Sequence, residues 1–332
     1  MQRKALLLHC IKGMIRFEDR FDLVKTGDVK WICERLTWHK IMPMAVAMNN
    51  PEKPKCPPLE QIFRDISVKA AFRVSDYEEQ VASIFKILTG ASIDFTPYKG
   101  PFWTQRIYPD YTWRHIGDVD LFLSKEDARN ASSLLKERGY KPVIVKGSED
   151  EDFRIRGELT FYPDASGEHK FPVQLHWALL PSHRFVNTDF IRGEDLTHGA
   201  TSESWKGIPC RLPSPEIRFL YYILHATCQH QFNRFIHVMT MAHMIQRCQE
   251  IDWDLLHHIA RDRGALVPLY YGLTFIHAFL PLPDPVRTLM HSIIPSAKVR
   301  LGAAGLYPYG TLMADKKRGK LRRKLFRIAM TW

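Results

Sequence analysis

The sequence predicts an α+β protein in which a small mixed β-sheet is flanked by an N-terminal helical region and a C-terminal helical bundle. Apolar residues follow helical spacing up to Gly90. Short segments of period two, separated by turn residues, occupy positions 91–213, and helical spacing returns from Ser214. These shifts divide the 332 residues into four stretches: 1–90, 91–213, 214–310 and a basic tail, 311–332.

The first fifty residues read as helical, with Ile32, Leu36 and Met42 near helical spacing after Asp28. Four prolines between Pro51 and Pro58 require an extended bend. A helix follows over Leu59–Leu88, with Val81, Ile84, Phe85 and Leu88 on one face. Ile93–Tyr98 and Asp118–Leu123 read as strands. Ser124-Lys125-Glu126-Asp127 has the form of a capping box, opening a helix that stops at Gly139. Three further strands are expected over Lys141–Lys146, Phe153–Tyr162 and Pro172–Leu179, the last two joined by a turn at Asp164–Gly167. Ser214 then caps a helix with Pro215 in its first turn, and more helices are expected over Asp252–Arg263 and Ala265–Phe279.

Composition narrows the setting. No run approaches the apolar length of a membrane span, and the start, Met1–Ile11, reads as an ordinary helix rather than a signal segment. Six scattered cysteines without CxxC spacing favour reduced thiols and a cytoplasmic protein. The net charge is +11, but eight basic residues and no acid lie between Lys316 and Arg327. The body is nearly balanced and lacks the basic stripe of a template-binding protein, so a nucleic-acid partner is disfavoured.

Asp118 and Asp120 carry the chemistry. On a strand they face the same way, about 7 Å apart at their backbones, while Val119, Leu121 and Leu123 face the core. Two hard carboxylates so placed suit Mg²⁺ shared with phosphate oxygens. The plainer alternative is a strand end with two solvated acids.

The surroundings of the pair match a known pattern. Tyr98-Lys99-Gly100, Ile107-Tyr108-Pro109, Arg114 and Gly117-Asp118-Val119-Asp120-Leu121 occur in order. Gly139-Tyr140, Leu175-His176-Trp177, Pro215-Glu216, His225, His230 and Ile251-Asp252-Trp253 follow, and Trp31 and His39 match upstream. Over most of residues 25 to 280 the sequence resembles the uncharacterised nucleotidyltransferase family, related to the DNA polymerase β superfamily. The resemblance implies a sheet of nucleotidyltransferase type. It also implies Mg²⁺-dependent transfer of a nucleoside monophosphate from a nucleoside triphosphate, such as ATP, to an acceptor hydroxyl. Asp118 and Asp120 would hold metal, with Lys99, Gly100, Arg114 and Gly117 near the nucleotide. Relatives are often encoded among genes for polysaccharide or modified-peptide production, so a peptide, a sugar or a small metabolite is the implied acceptor.

Two departures stand out. Relatives carry a third acid just before Leu-His-Trp, where this chain has Gln174, which accepts through its carbonyl oxygen but has no charge and cannot act as a base. Where relatives often have an Asp after His230, this chain reads Met239-Thr240-Met241. A protein of the same fold that binds nucleotide or a partner with weakened catalysis is therefore the alternative. On the strand expected over Phe153–Tyr162, Glu158 shares a polar face with Arg154, Arg156 and Thr160. If that face borders Asp118, Glu158 supplies the missing carboxylate as a metal ligand and the arginines meet phosphate. An exposed polar face is the structural alternative. Gln174 and His176, on one strand face, are candidate substrate contacts.

His225 and His230 fall about 140° apart on an ideal helix, so with His237 and His243 they read as packing residues rather than metal ligands. In the tail, Leu321, Leu325, Ile328 and Trp332 share a helical face among Arg322, Arg323, Lys324 and Arg327. That pattern suits peripheral contact with an anionic membrane or a protein, or a solvated terminus.

Overall fold

The structure, a computed structural model, describes residues 3–50, 52–53, 55–99, 101–164, 170–179, 196, 200–297 and 299–300. Gly100, the turn residues 165–167 and the tail 311–332 lie outside the described residues.

The N-terminal region is helical: α1 (Arg3–Ile15), α2 (Val29–Trp38), α3 (Met42–Ala47) and α4 (Pro57–Gly90). Pro57 and Pro58 occupy the first turn of α4, where no N–H partner is needed. At 34 residues α4 runs about 50 Å, long enough to serve both the N-terminal helices and the sheet. Tyr77, Val81, Ile84, Phe85 and Leu88 form its buried face. Buried Gln80 ties α4 to the sheet layer. Its Nε2 donates to Phe171 O (2.7 Å) and Tyr140 Oη (2.9 Å), and its Oε1 accepts from the backbone of Lys170 and Phe171 (both 3.0 Å).

The sheet contains β1 (Thr96–Pro97), β2 (Val119–Phe122), β3 (Lys141–Pro142), β4 (Glu158–Tyr162) and β5 (Val173–His176) in the order β1-β2-β5-β4-β3. Only β2 and β5 are parallel, with Asp120 opposite Gln174 and Phe122 opposite His176. β4 pairs antiparallel with β5, placing Glu158 beside His176 and Thr160 beside Gln174. The predicted α+β class with a small mixed sheet is thus realised. Helix α5 (Pro101–Ile107) follows β1. Helix α6 (Lys125–Glu137) follows β2, with Ser124 accepting from Asp127 N at 3.0 Å in its cap.

All five expected strands are shorter than their patterns: Asp118–Leu123 keeps Val119–Phe122 and Pro172–Leu179 keeps Val173–His176. Pairing over Ile93–Tyr98 is confined to Thr96–Pro97, and Pro97 has no N–H for the ladder. Lys141–Lys146 contributes only Lys141–Pro142 as strand. Phe153–Tyr162 is not one strand: Glu149–Ile155 forms helix α7. Ser148 caps it through Glu151 N, and four acids fill its first turn, where the helix dipole favours negative charge. Alternation of Phe153 and Ile155 imitated a strand, but the cap and charge placement favour the helix. Gly157 then allows a close crossing. A Cβ there would stand 2.9 Å from Ala178 Cβ, and the Gly157 carbonyl accepts from Trp177 N and Ala178 N.

A hairpin, β6 (Thr201–Trp205) and β7 (Ile208–Leu212), has no counterpart among the predicted strands. Lys206 and Gly207 both adopt positive φ, as a two-residue turn of this twist requires. Trp205 anchors the hairpin, buried beside Phe85 with its Nε1 donating to Tyr111 Oη at 2.9 Å.

The C-terminal bundle comprises α8 (Pro215–Leu224), α9 (Phe235–Arg247), α10 (Trp253–Asp262), α11 (Leu266–His277) and the unpredicted α12 (Asp284–Ser292). Ser214 caps α8 as expected, accepting from Ile217 N. The Pro215-Glu216 and Ile251-Asp252-Trp253 segments meet each other. Buried Glu216 accepts from Asp252 N (2.9 Å), and Phe219 packs edge-on against Trp253. Their role in the fold is to dock α10 on α8. No described helix is long and apolar enough to cross a membrane.

Candidate active site

Asp118 immediately precedes β2 and Asp120 is its second residue. Helix α4 holds the approach to them: Arg73 donates twice to Ile116 O (3.0 and 3.2 Å), and the Tyr77 hydroxyl donates to Asp118 O (3.2 Å). From the other side, Tyr98 N donates to Asp120 O at 2.9 Å. The backbone of the pair is therefore held from two directions. The strand face bearing Asp120 is not open to solvent. Phe122, next on that face, is buried against Tyr98, Tyr221 and the His176 ring.

Both carboxylate oxygens of Asp120 are engaged. Oδ1 lies 2.9 Å from His176 Nε2, and Oδ2 lies 3.3 Å from Lys99 Nζ. Burial alone would raise this carboxyl's pKa, but Lys99 and His176 outweigh it and bring it down to about 2. Asp118 behaves oppositely: burial, and then the neighbouring Asp120 charge, push it upward against the pull of Lys99, Lys40 and Arg114. Burial opposes ionisation of Asp118 and the Asp120 charge adds to that, so a bound cation would relieve both.

Gln174, opposite Asp120 on β5, points its Nε2 toward Asp118 Oδ2 at 3.5 Å. Rotating that amide by half a turn would present its carbonyl oxygen instead. Among the described residues no three His, Cys, Asp or Glu side chains converge as a ready metal site. The donors at hand are two carboxylates and one amide oxygen. They fit a hard cation such as Mg²⁺ that takes its remaining ligands from phosphate and water, not one requiring a full protein cage.

Glu158 reaches His176 rather than sharing a face with Arg154. Its Oε2 lies 3.5 Å from His176 Nδ1, and its Oε1 lies 3.8 Å from Arg156. Arg156 in turn approaches buried Asp152 at 3.4 Å, so a polar chain runs from Asp120 through His176, Glu158 and Arg156 to Asp152. Arg154 stands elsewhere: on α7 it is solvent-exposed and pairs with Glu151. The expectation that Arg154 faces the pair is corrected, because α7 is a helix and its spacing is not that of a strand.

Cations surround the carboxylates. Arg114 lies at the end of the 3-10 turn Tyr111–Trp113, with its Nη2 3.5 Å from Tyr222 Oη. The loop after α2 brings Lys40, held in a left-handed conformation (φ 58°), into the field of Asp118, Arg114, Lys99 and Arg234. Burial first, and then these neighbouring cations, lower the Lys40 pKa, while Asp118 opposes the fall. His115, beside Lys40 and Arg114, is pushed down to about 4, chiefly by burial. Gly117 packs on that ring, since a Cβ there would meet His115 Nε2 at 3.4 Å. Arg234 donates to Trp38 O and lies over the Trp38 ring at 4.4 Å. Sequence patterns did not single out Lys40 or Arg234, which belong to different helical regions. The one local hint was His39, whose Nδ1 accepts from Phe235 N and whose carbonyl accepts from Ile236 N. That histidine fastens the α2–α3 loop to the start of α9 and so brings Lys40 and Arg234 to one place.

The histidines are closer than ideal helix geometry allowed. His225–Gln229 forms a π turn, with His230 N donating to His225 O at 3.1 Å. This wider turn brings the two rings to 4.3 Å, and His237 stacks on His230 at 4.5 Å. The assumed separation around the helix is corrected; burial pushes His225 and His237 well below the usual histidine range and takes His230 down to about 3. His243 lies apart, joining Tyr108 Oη (2.9 Å) to Met14 O (3.0 Å).

The α+β fold carries this aspartate pair at the start of a central strand, and residues 25–281 match the family model described as uncharacterised nucleotidyltransferase. The chain belongs to that family. No curated protein and no solved structure matches it.

Proposed function

We infer that this protein transfers a nucleoside monophosphate from a nucleoside triphosphate to an acceptor hydroxyl, with Asp118 and Asp120 holding Mg²⁺. One observation carries the reading: buried Asp120 and half-buried Asp118 lie side by side, with Lys99, Lys40 and Arg114 in the field of Asp118. Bound magnesium supplies charge neutralisation at the α-phosphate and the departing pyrophosphate. Lys99, Lys40, Arg114 and Arg234 hold the triphosphate, with Gly100 and Gly117 near it in the chain. In the transfer the acceptor oxygen bonds to the α-phosphorus as the bond to pyrophosphate breaks, and the acceptor's proton passes to solvent. His176 positions Asp120, and Glu158 steadies His176 rather than binding the metal. A peptide, a sugar or a small metabolite serves as acceptor.

The test incubates the protein with Mg²⁺, α-labelled nucleotides and candidate acceptors. Label transfer that Asp118→Ala abolishes supports the reading. No transfer, together with no Mg²⁺-dependent nucleotide binding sensitive to Asp118→Ala, overturns it. Gln174 favours a second reading, a nucleotide-binding protein of the same fold with weakened turnover, because a neutral amide stands beside Asp118. Asp118-dependent nucleotide binding without transfer to any acceptor is its signature.

A further inference from the structure

The position of Lys99 bears on how metal enters this site. The ammonium lies 3.3 Å from Asp120 Oδ2 and 4.5 Å from the centre of the Tyr98 ring, with its side chain only 12% exposed. The other oxygen of Asp120 is occupied by His176 at 2.9 Å. Asp120 therefore has no oxygen free of a protein partner. The two partners differ in how they are held: His176 is buried on β5 and stacked on Phe122, whereas Lys99 is a long unbranched side chain beyond the end of β1. Its backbone has φ 63°, a left-handed conformation that non-glycine residues seldom adopt.

We propose that Lys99 is the resident counter-cation of Asp120, and that a divalent metal binds there only as Lys99 moves to a nucleotide phosphate. This rests on the nucleotidyltransferase reading of the same site. A divalent ion and an ammonium at one carboxylate oxygen repel each other, so one must leave. A triphosphate offers the ammonium a more highly charged partner beside the neighbouring cations Lys40 and Arg114. Metal and nucleotide thus bind cooperatively, and the metal site stays closed to free cations in the absence of nucleotide.

The test measures Mn²⁺ affinity of the full chain without nucleotide, by electron paramagnetic resonance of free Mn²⁺. Lys99→Met keeps an unbranched side chain and removes the charge, and is expected to bind Mn²⁺ at least tenfold more tightly than the wild type. Lys99→Arg retains the charge and is expected to stay weak. A thermal melt of each variant confirms folding, and because tighter binding is a gain, misfolding cannot imitate it. Unchanged Mn²⁺ affinity in folded Lys99→Met overturns the proposal. Asp120→Asn separates the two levels. If it abolishes the Mn²⁺ binding of Lys99→Met, the metal site stands and the counter-cation role is supported. If Lys99→Met binds tightly with or without Asp120, the metal lies elsewhere and the underlying site assignment fails.

Discussion

His176 Nε2 lies 2.9 Å from Asp120 Oδ1, although the two residues are not directly opposed in the β2–β5 register. Asp120 pairs with Gln174 and Phe122 pairs with His176, so the contact runs diagonally across the parallel strands. Stacking on Phe122 holds the imidazole in that orientation, with the Glu158 carboxylate 3.5 Å from Nδ1.

Removing this support loosens Asp120 without removing it. His176→Leu is expected to lower metal-dependent transfer by about 10- to 100-fold, the usual scale for a residue that orients a ligand. Titration of the carboxylate by NMR checks the cause: the Asp120 pKa should rise from its depressed value, since one of its two stabilising partners is gone.

Gln174→Glu restores a third acid beside Asp118. Without metal, the added charge lies against two carboxylates and is expected to lower stability by about 1–2 kcal/mol. Added Mg²⁺ should reverse the loss and bind more tightly than in the wild type. Chemical denaturation with and without Mg²⁺ measures both effects, and a variant indifferent to Mg²⁺ would place Gln174 outside the metal's reach.

Lys40→Ala and Arg234→Ala should each weaken nucleotide binding by about 5- to 50-fold, the range of a lost charge-assisted contact. The Lys40 side chain reaches solvent although its charge is partly desolvated by its neighbours, so its loss should leave the melting temperature nearly unchanged. Arg234 also holds Trp38 O and its ring, so its loss should cost some stability as well. Isothermal titration with a nonhydrolysable nucleotide, paired with melts, separates binding from folding.

Gln80→Ala addresses the fold rather than the site. The buried amide makes four hydrogen bonds, three of them to backbone groups of Lys170 and Phe171, and truncation leaves those groups unpaired. The expected cost is about 2–4 kcal/mol in urea denaturation. A loss below about 0.5 kcal/mol would mean that water replaces the side chain without penalty.

Acid should destabilise the protein well above the range where carboxylates titrate. Burial lowers His39 and His243 from 6.5 to about 3. Between those values the unfolded chain takes up protons that the folded chain refuses, so stability is present above pH 6.5 and is lost as pH falls toward 3. Each such histidine steepens the decline by about 1.4 kcal/mol per pH unit. Denaturation curves from pH 7.5 to 4.5 should show it, and His243→Gln should decline less steeply while starting from a lower stability.

Local patterns determined much of the framework. The apolar spacing along α4, the Ser124 and Ser214 caps and the alternation through Val119–Leu121 are nearest-neighbour properties, and the folded chain keeps them. Pattern failed where two periodicities coincide. Phe153 and Ile155 suit a strand or a short helix, and only the Ser148 cap and its acidic first turn decide. The β6–β7 hairpin is marked by Lys206-Gly207, a weaker turn signal than Asn-Gly, and β6 buries only Trp205 although β7 alternates buried and exposed residues.

For the site, the sequence by itself determined that two carboxylates share one strand face and that Gln174 brings no charge. Tertiary structure decided which groups meet them. Lys40 and Arg234 lie nearly two hundred positions apart and come together because His39 accepts hydrogen bonds from the first turn of α9. Glu158 became a partner of His176 through strand pairing, and Arg154 left the site because α7 turned it outward. A π turn, not an ideal helix, set the spacing of His225 and His230. Each outcome depends on long-range pairing or on a backbone hydrogen bond displaced by one residue, and local side-chain periodicity does not encode either.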